Sequence, residues 1–344
     1  MKHTPFFACM ILAALCLAAV PALAASPDNR TASQVLTVTD DTGATVTLHG
    51  VPERIVSLAP ANTEILFALG LGDKVVGVTD YCNYPPEAMT KPSIGGYSTV
   101  SVEKVIALKP DLILADYGNG ADVVNRLKGL NQTVIVLNPP DVTGILNDIV
   151  MVGHATGTDD NATALVSSLR SRIAAVEKNA SALPVHPSIA HVVWNDPLYV
   201  SGNGTYQDQV ITIAGGTNTF ADKQYWATVG IEEFVAANPD IIIVNSGAGM
   251  GGGEDAIALA MENESQFANV AAIKNHHVYV VDSDIMDRGG PRIVDALEIV
   301  EADIQNAEAS EATTTPTQEA PGFGILPALG ACATGVVLCA MRRK

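Results

Sequence analysis

Val102-Glu103-Lys104-Val105-Ile106-Ala107-Leu108-Lys109-Pro110-Asp111-Leu112-Ile113-Leu114 aligns without gaps with Ile231-Glu232-Glu233-Phe234-Val235-Ala236-Ala237-Asn238-Pro239-Asp240-Ile241-Ile242-Ile243. Each copy reads as an amphipathic helix stopped at a proline, then a short and wholly apolar strand. Strands of that kind belong to parallel sheets covered on both faces. In each copy a Glu precedes the proline by seven positions, and an aromatic, Tyr97 or Trp226, precedes that Glu by six. The chain therefore carries two related α/β units.

Further strands and helices extend both units. Around the first copy, residues 55–58, 75–78 and 134–137 read as buried strands and 121–129 as a helix. A helix over 62–69 is expected, with Asn62 as N-cap and Gly70 just past its end. Around the second copy, strands are expected at 189–194, 241–244 and 278–281, with a hairpin-like stretch at 198–205. Helices are expected at 206–214, 255–262 and 291–306. Between the units, residues 141–182 show no strand pattern and read as two helices, 142–156 and 160–180. The fold class is thus α/β: two lobes, each a parallel-sheet sandwich, joined by a long helical spacer. Ligands bind at the carboxyl ends of parallel strands, so the gap between the lobes is the expected site.

The ends read as addresses. Met1-Lys2-His3, an apolar run and Ala22-Leu23-Ala24 make residues 1–24 a signal peptide. Residues 25–50 form an N-terminal hairpin extension, 51–140 the N-lobe, 141–182 the linking helices and 183–308 the C-lobe. A Thr-rich linker covers 309–320. In 321–344, Pro321-Gly322-Phe323 precedes an apolar stretch and Arg342-Arg343-Lys344. An apolar run of about 18 residues can span a bilayer, and a trailing basic cluster stays in the cytoplasm. The expected location is the outer face of the cytoplasmic membrane, with the chain held by its C-terminus.

Composition narrows the function. The 344 residues carry 19 Lys and Arg against 37 Asp and Glu, a net charge of −18. That argues against nucleic acid as a partner, because phosphate binding needs a basic patch. Cys82 is the one cysteine outside the two apolar ends, so the globular part holds no internal disulfide. No Gly-x-Ser-x-Gly elbow or acid–base pair recommends an enzyme, and no catalytic residue is assigned. The histidines are scattered, and no metal site is assigned. Gly247-Ala248-Gly249-Met250-Gly251-Gly252 matches a nucleotide-loop pattern by letter but lacks its context, and reads as a cleft-edge loop.

Four stretches carry a family resemblance: Arg54-Ile55-Val56-Ser57-Leu58-Ala59-Pro60-Ala61-Asn62-Thr63-Glu64, Gly77-Val78-Thr79-Asp80-Tyr81-Cys82-Asn83-Tyr84-Pro85, the two Glu…Pro-Asp units, and Arg288-Gly289-Gly290-Pro291-Arg292. In this order they resemble the helical-backbone class of ABC-importer substrate-binding proteins, the group that binds vitamin B12, iron–siderophores and haem. Within that class the pattern is most similar to the cobalamin-binding member. The resemblance implies cargo-contact aromatics at Tyr81, Tyr97 and Trp226; a further family aromatic falls on Asp116 here, beside Tyr117. Trp194, Asn195, Tyr225 and Arg288 complete the ligand-binding candidates, Arg288 as a partner for a carboxylate or phosphate. The implied cargo is a corrinoid, with an iron–siderophore or haem as the alternative, and no resident cofactor. Glu103 and Glu232 are the implied docking carboxylates for the arginines of an ABC permease with a cytoplasmic ATPase. The Pro-Gly-Phe segment and basic tail resemble an archaeal C-terminal sorting signal, in which a lipid replaces the tail; a retained transmembrane anchor is the alternative.

Overall fold

The computed structural model describes residues 35–246 and 256–314, with side chains through residue 310. The leader at 1–24, the glycine-rich stretch at 247–252 and the segment 321–344 lie outside the described residues. No described helix is long and apolar enough to cross a membrane.

The chain opens with an antiparallel hairpin, β1 (Val35–Thr39) and β2 (Thr45–His49). The N-lobe follows: β3 (Ile55–Ser57), α1 (Pro60–Ala68), β4 (Val75–Gly77), α2 (Val102–Ala107), β5 (Leu112–Asp116), α3 (Ala121–Gly129) and β6 (Val134–Leu137). Its four strands are all parallel, in the order β4-β3-β5-β6. Two helices, α4 (Val142–Thr156) and α5 (Asp159–Ala180), lead to the C-lobe. There come β7 (Ser188–Asn195), β8 (Leu198–Ser201), α6 (Tyr206–Ile213), β9 (Thr217–Asn218), β10 (Trp226–Thr228), α7 (Ile231–Ala237) and β11 (Ile241–Ser246). The described chain closes with α8 (Ala256–Asn263), α9 (Ala271–Lys274), β12 (Val278–Asp282), α10 (Ser283–Met286) and α11 (Ile293–Thr314).

The repeat is a structural unit. α2–β5 and α7–β11 occupy equivalent places, each ending on an interior strand next to an edge strand of its sheet. Lys109 and Asn238, at matching positions, both take φ of +48° and turn the chain out of the helix before proline. The following aspartates then fasten the neighbouring strand. Asp111 accepts the Glu53 and Arg54 amides at 2.8 and 2.9 Å, just before β3. Asp240 accepts the Ser188 amide at 2.9 Å at the start of β7. A Pro-Asp pair at this point therefore sets the register between two parallel strands.

Three expectations need correction. The C-lobe sheet is mixed, not parallel: β7, β11 and β12 run parallel, but β8 and β10 form an antiparallel edge. The N-cap of α1 is Ala59, with Pro60 in the first turn, where a fixed φ and a missing N–H suit the helix start. Asn62 instead lies buried, its amide donating to the Ala115 carbonyl at 3.0 Å. Finally, α11 runs to Thr314, into the expected linker. Ala307-Glu308-Ala309-Ser310-Glu311-Ala312 has good helix formers, and Pro316 lies just beyond the end.

Alternate residues of each central strand face different cores. Leu112 and Leu114 join one cluster and Ile113 and Ala115 another. On β11, Ile241 and Ile243 point one way and Ile242 and Val244 the other. The inward residues of both lobes meet in a single core, with Ile145, Ile149 and Val152 of α4, Leu169 and Val176 of α5, and Leu297 and Val300 of α11. α4 and α5 touch closely at Gly153, where an added Cβ would lie 2.3 Å from the Ala162 methyl. A spacer sunk in a shared core leaves little freedom for hinge motion, since such packing resists continuous deformation.

Candidate functional site

The carboxyl ends of both sheets open onto a cavity of about 710 Å³. The N-lobe contributes the start of α1 (Pro60, Ala61, Asn62), the β4 loop (Asp80, Tyr81, Asn83), Tyr97, and Asp116-Tyr117-Gly118 after β5. The C-lobe contributes Tyr206, Trp226 and the segment from Ser283 to Gly289.

Two hydrogen-bonded frames fix the walls. On the N-lobe side the Tyr97 hydroxyl donates to Asp116. Asp116 also receives the Gly118 amide at 2.7 Å, and its own N–H donates to Asn119 Oδ1 at 2.7 Å. Asn119 then donates to the Leu58 and Tyr97 carbonyls, both at 2.8 Å, which binds the loop to the sheet. An added Cβ on Gly118 would meet the Tyr97 hydroxyl at 2.0 Å, so the aromatic ring seats against bare backbone. Burial, and then the Asp116 charge, push the Tyr97 hydroxyl far above its usual range. It stays protonated and holds the ring in place.

On the C-lobe side a buried polar chain runs beneath Trp226. His191 contacts Ser201 Oγ at 3.1 Å and Asn245 Oδ1 at 2.9 Å. Asn245 donates to Asp287 at 2.5 Å and Gln207 donates to it at 3.0 Å. The Tyr206 hydroxyl donates to the Asp287 carbonyl. Burial raises the Asp287 carboxyl and depresses His191; their attraction and the Asn245 bonds act the other way. The Trp226 ring stacks on Tyr199, centroids 6.2 Å apart and planes at 16°, with the His191 ring 6.3 Å away. Pairing β10 with β8 sets Trp226 opposite Ser201 and turns the ring toward the cleft.

Arg288 lines the cavity, yet its guanidinium is already engaged. It reaches Glu64 at 3.0 Å, Asn83 at 2.8 Å, the Tyr81 carbonyl at 3.2 Å and Asp284 at 2.5 Å. Arg292 grips the same Glu64 through both carboxylate oxygens, at 2.9 and 2.7 Å, and lies 4.1 Å over the Tyr84 ring. This cluster bridges the lobes.

Of the residues named from sequence, Tyr81, Tyr97, Tyr117, Trp226 and Arg288 come together around the cavity. Trp194 and Asn195 are not among its lining residues. They sit at the β7–β8 turn, where the indole N–H donates to the Asp196 carbonyl at 2.7 Å. Tyr225 is exposed next to Trp226, at φ +55°. Asp80, Tyr206, Asp284 and Asp287 also line the cavity and are not among the ligand-binding candidates of the sequence. Asp284 and Asp287 stand in the same segment as Arg288, and Tyr206 opens a helix after a turn, so proximity to named residues was the available signal.

Glu103 and Glu232 occupy the first turns of the repeated helices and are exposed. Glu103 bonds Arg126 at 2.8 Å; a bond with its own backbone amide, then Arg126, holds its carboxyl below the usual range. Glu233 pairs with Lys223. No group of three or more His, Cys, Asp or Glu among the described residues could hold a metal ion.

Two lobes, a helical spacer in a common core and a cleft between sheet ends define a receptor for a small solute. The chain belongs to the periplasmic binding protein family, whose model matches residues 55–285. It is 34% identical over 308 residues to an ABC transporter substrate-binding lipoprotein of Bacillus subtilis, covering 86% of this chain and 95% of that one. It is 30% identical over 251 residues to a vitamin B12-binding protein of Vibrio cholerae, covering 72% and 87%. Among solved structures, the Vibrio cholerae periplasmic vitamin B12-binding protein superposes with a TM-score of 0.64 at 28% identity, over 75% of this chain and 98% of that one. A periplasmic haem-binding protein from Roseiflexus gives 0.66 at 28% identity, over 74% and 98%.

Proposed function

We propose that the protein is the substrate-binding component of an ABC importer and that it captures a corrinoid in the inter-lobe cleft. The observation that supports this reading is the character of the walls. Tyr81, Tyr97, Tyr117 and Trp226 offer aromatic surface to a broad, partly apolar ring. The acidic groups Asp80, Asp116, Asp284 and Asp287 line the cavity, and Arg288, the cation among the lining residues, is bound to Glu64 and Asp284. Haem, with its propionates, and carboxylate-bearing iron chelates meet no unengaged cation among those lining residues. A corrinoid with a carboxamide rim finds hydrogen-bond acceptors. The vitamin B12-binding relatives support the same choice.

Delivery follows from Glu103 and Glu232, one on each repeated helix, docking onto permease arginines while an ATPase on the other membrane face drives uptake. The segment 321–344 tethers the receptor at the outer face. Reconstitution with the permease and ATPase tests this. Receptor-dependent uptake of cyanocobalamin is expected, and Glu103→Ala with Glu232→Ala abolishes it while leaving receptor affinity intact. Uptake that persists in the double variant contradicts the docking assignment; uptake that does not need the receptor contradicts the importer role.

A further inference from the structure

Glu64 is the most deeply buried acidic side chain of the inter-lobe cluster, 2% exposed, and it accepts three hydrogen bonds from two arginines 224 and 228 positions away. It does not line the cavity, whereas Arg288 does. We propose that Glu64 is a specificity-determining positioning residue: by neutralising Arg288 and Arg292 from behind the cleft wall, it withholds them from carboxylate-bearing ligands and so excludes anionic cargo. The inference rests on the cleft being the cargo site.

The geometry carries the argument. A guanidinium has five N–H donors in a fixed fork. On Arg288 these are distributed among Glu64, Asn83, the Tyr81 carbonyl and Asp284. Asn83 is itself held by Asp284, at 2.6 Å, so the fork is clamped on its N-lobe and C-lobe sides. Arg292 is engaged by Glu64, the Asp284 carbonyl and the Tyr84 face. One buried carboxylate between two cations is close to neutral with Asp284 included. What remains facing the cavity is the carboxyl set Asp80, Asp116 and Asp287, with no unengaged cation among the lining residues. Removing the Glu64 charge would leave a surplus cation at the cavity wall, and a guanidinium with free donors binds a carboxylate strongly.

The test uses one ring in two charge states: haem, with two carboxylates, and its dimethyl ester, with none. Both are titrated into the wild-type protein and Glu64→Gln. The wild type is expected to bind haem no more tightly than the ester. The variant is expected to raise the haem-to-ester affinity ratio about tenfold, the worth of one charge-assisted hydrogen bond, and added salt should reduce the gain only in part, because the pair is largely buried. A purely structural role for Glu64 would weaken both ligands alike. An unchanged ratio in a folded variant overturns the proposal, as does a wild type that prefers haem over its ester, a result that needs no variant. Cyanocobalamin titrated into the wild type reads the corrinoid assignment separately; its failure to bind would leave the haem-to-ester ratio decisive for Glu64.

Discussion

Trp226→Ala weakens cyanocobalamin binding roughly thirtyfold or more, while Trp194→Ala leaves it unchanged. A buried aromatic anchor at the centre of a contact surface is worth about 2 kcal/mol or more on truncation, and 1.4 kcal/mol is a tenfold change. Trp226 has the attributes of such an anchor. Strand pairing fixes its backbone opposite Ser201, Tyr199 stacks on one face of the ring, and the ring lines the cavity. A rigid plate loses little entropy when it meets a ligand. Trp194 has the same chemistry, but its indole is tied to the turn at Asp196, outside the cavity lining. Equilibrium titration of the two variants checks this. Equal losses in both, or none in either, would place the binding surface elsewhere.

Asp148→Asn stabilises the protein at alkaline pH and flattens its pH profile. Asp148 lies on the core side of α4, 2% exposed, and one of its carboxyl oxygens has no hydrogen-bond partner. Burial first, then the nearby Asp41 and Asp116 carboxylates, push it up to about 8. In an unfolded chain an Asp titrates near ~3.9. Between those values the folded protein holds a proton that the unfolded chain has lost. Stability therefore falls as pH rises from about 4 to about 8 and levels off above that. An amide cannot ionise and can donate to the Asp41 carboxylate. Asp41 in turn accepts the Asn138 amide at 2.6 Å, beside the cavity. The expected gain at pH 9 is about 2–4 kcal/mol, shrinking toward acid pH. Thermal melts of both proteins from pH 5 to 9 check it; parallel profiles would contradict the assignment.

Much of the fold is legible in the sequence because its determinants are local. The Glu…Pro-Asp repeat marks a helix, its stop and a register-setting aspartate within thirteen residues, and apolar runs such as 112–115 and 241–244 have the length and content of buried parallel strands. The mixed edge of the C-lobe was not legible. β9 and β10 have two and three residues, too short to display a period, and β10 exists because β8 offers it an edge. Tyr97 and Trp226 are legible through the repeat, and Tyr81 and Tyr117 through the family pattern, whereas Tyr206 has neither signal. The state of Arg288 was not legible, since its partner Glu64 lies 224 positions away and reads in sequence as one more polar residue of a helix. Asp148 carried a signal: with Ile145, Ile149 and Val152 it shares the apolar spacing of α4, which places a carboxyl on the core face.

Calorimetric titration of the protein with cyanocobalamin, with haem and a ferric hydroxamate siderophore as parallel titrants, tests the central claim most directly. The account predicts tight one-to-one binding of cyanocobalamin and weaker binding of the other two. No cyanocobalamin heat beside a clear signal from haem or the iron chelate would contradict it, moving the cargo to another class while leaving the fold as described.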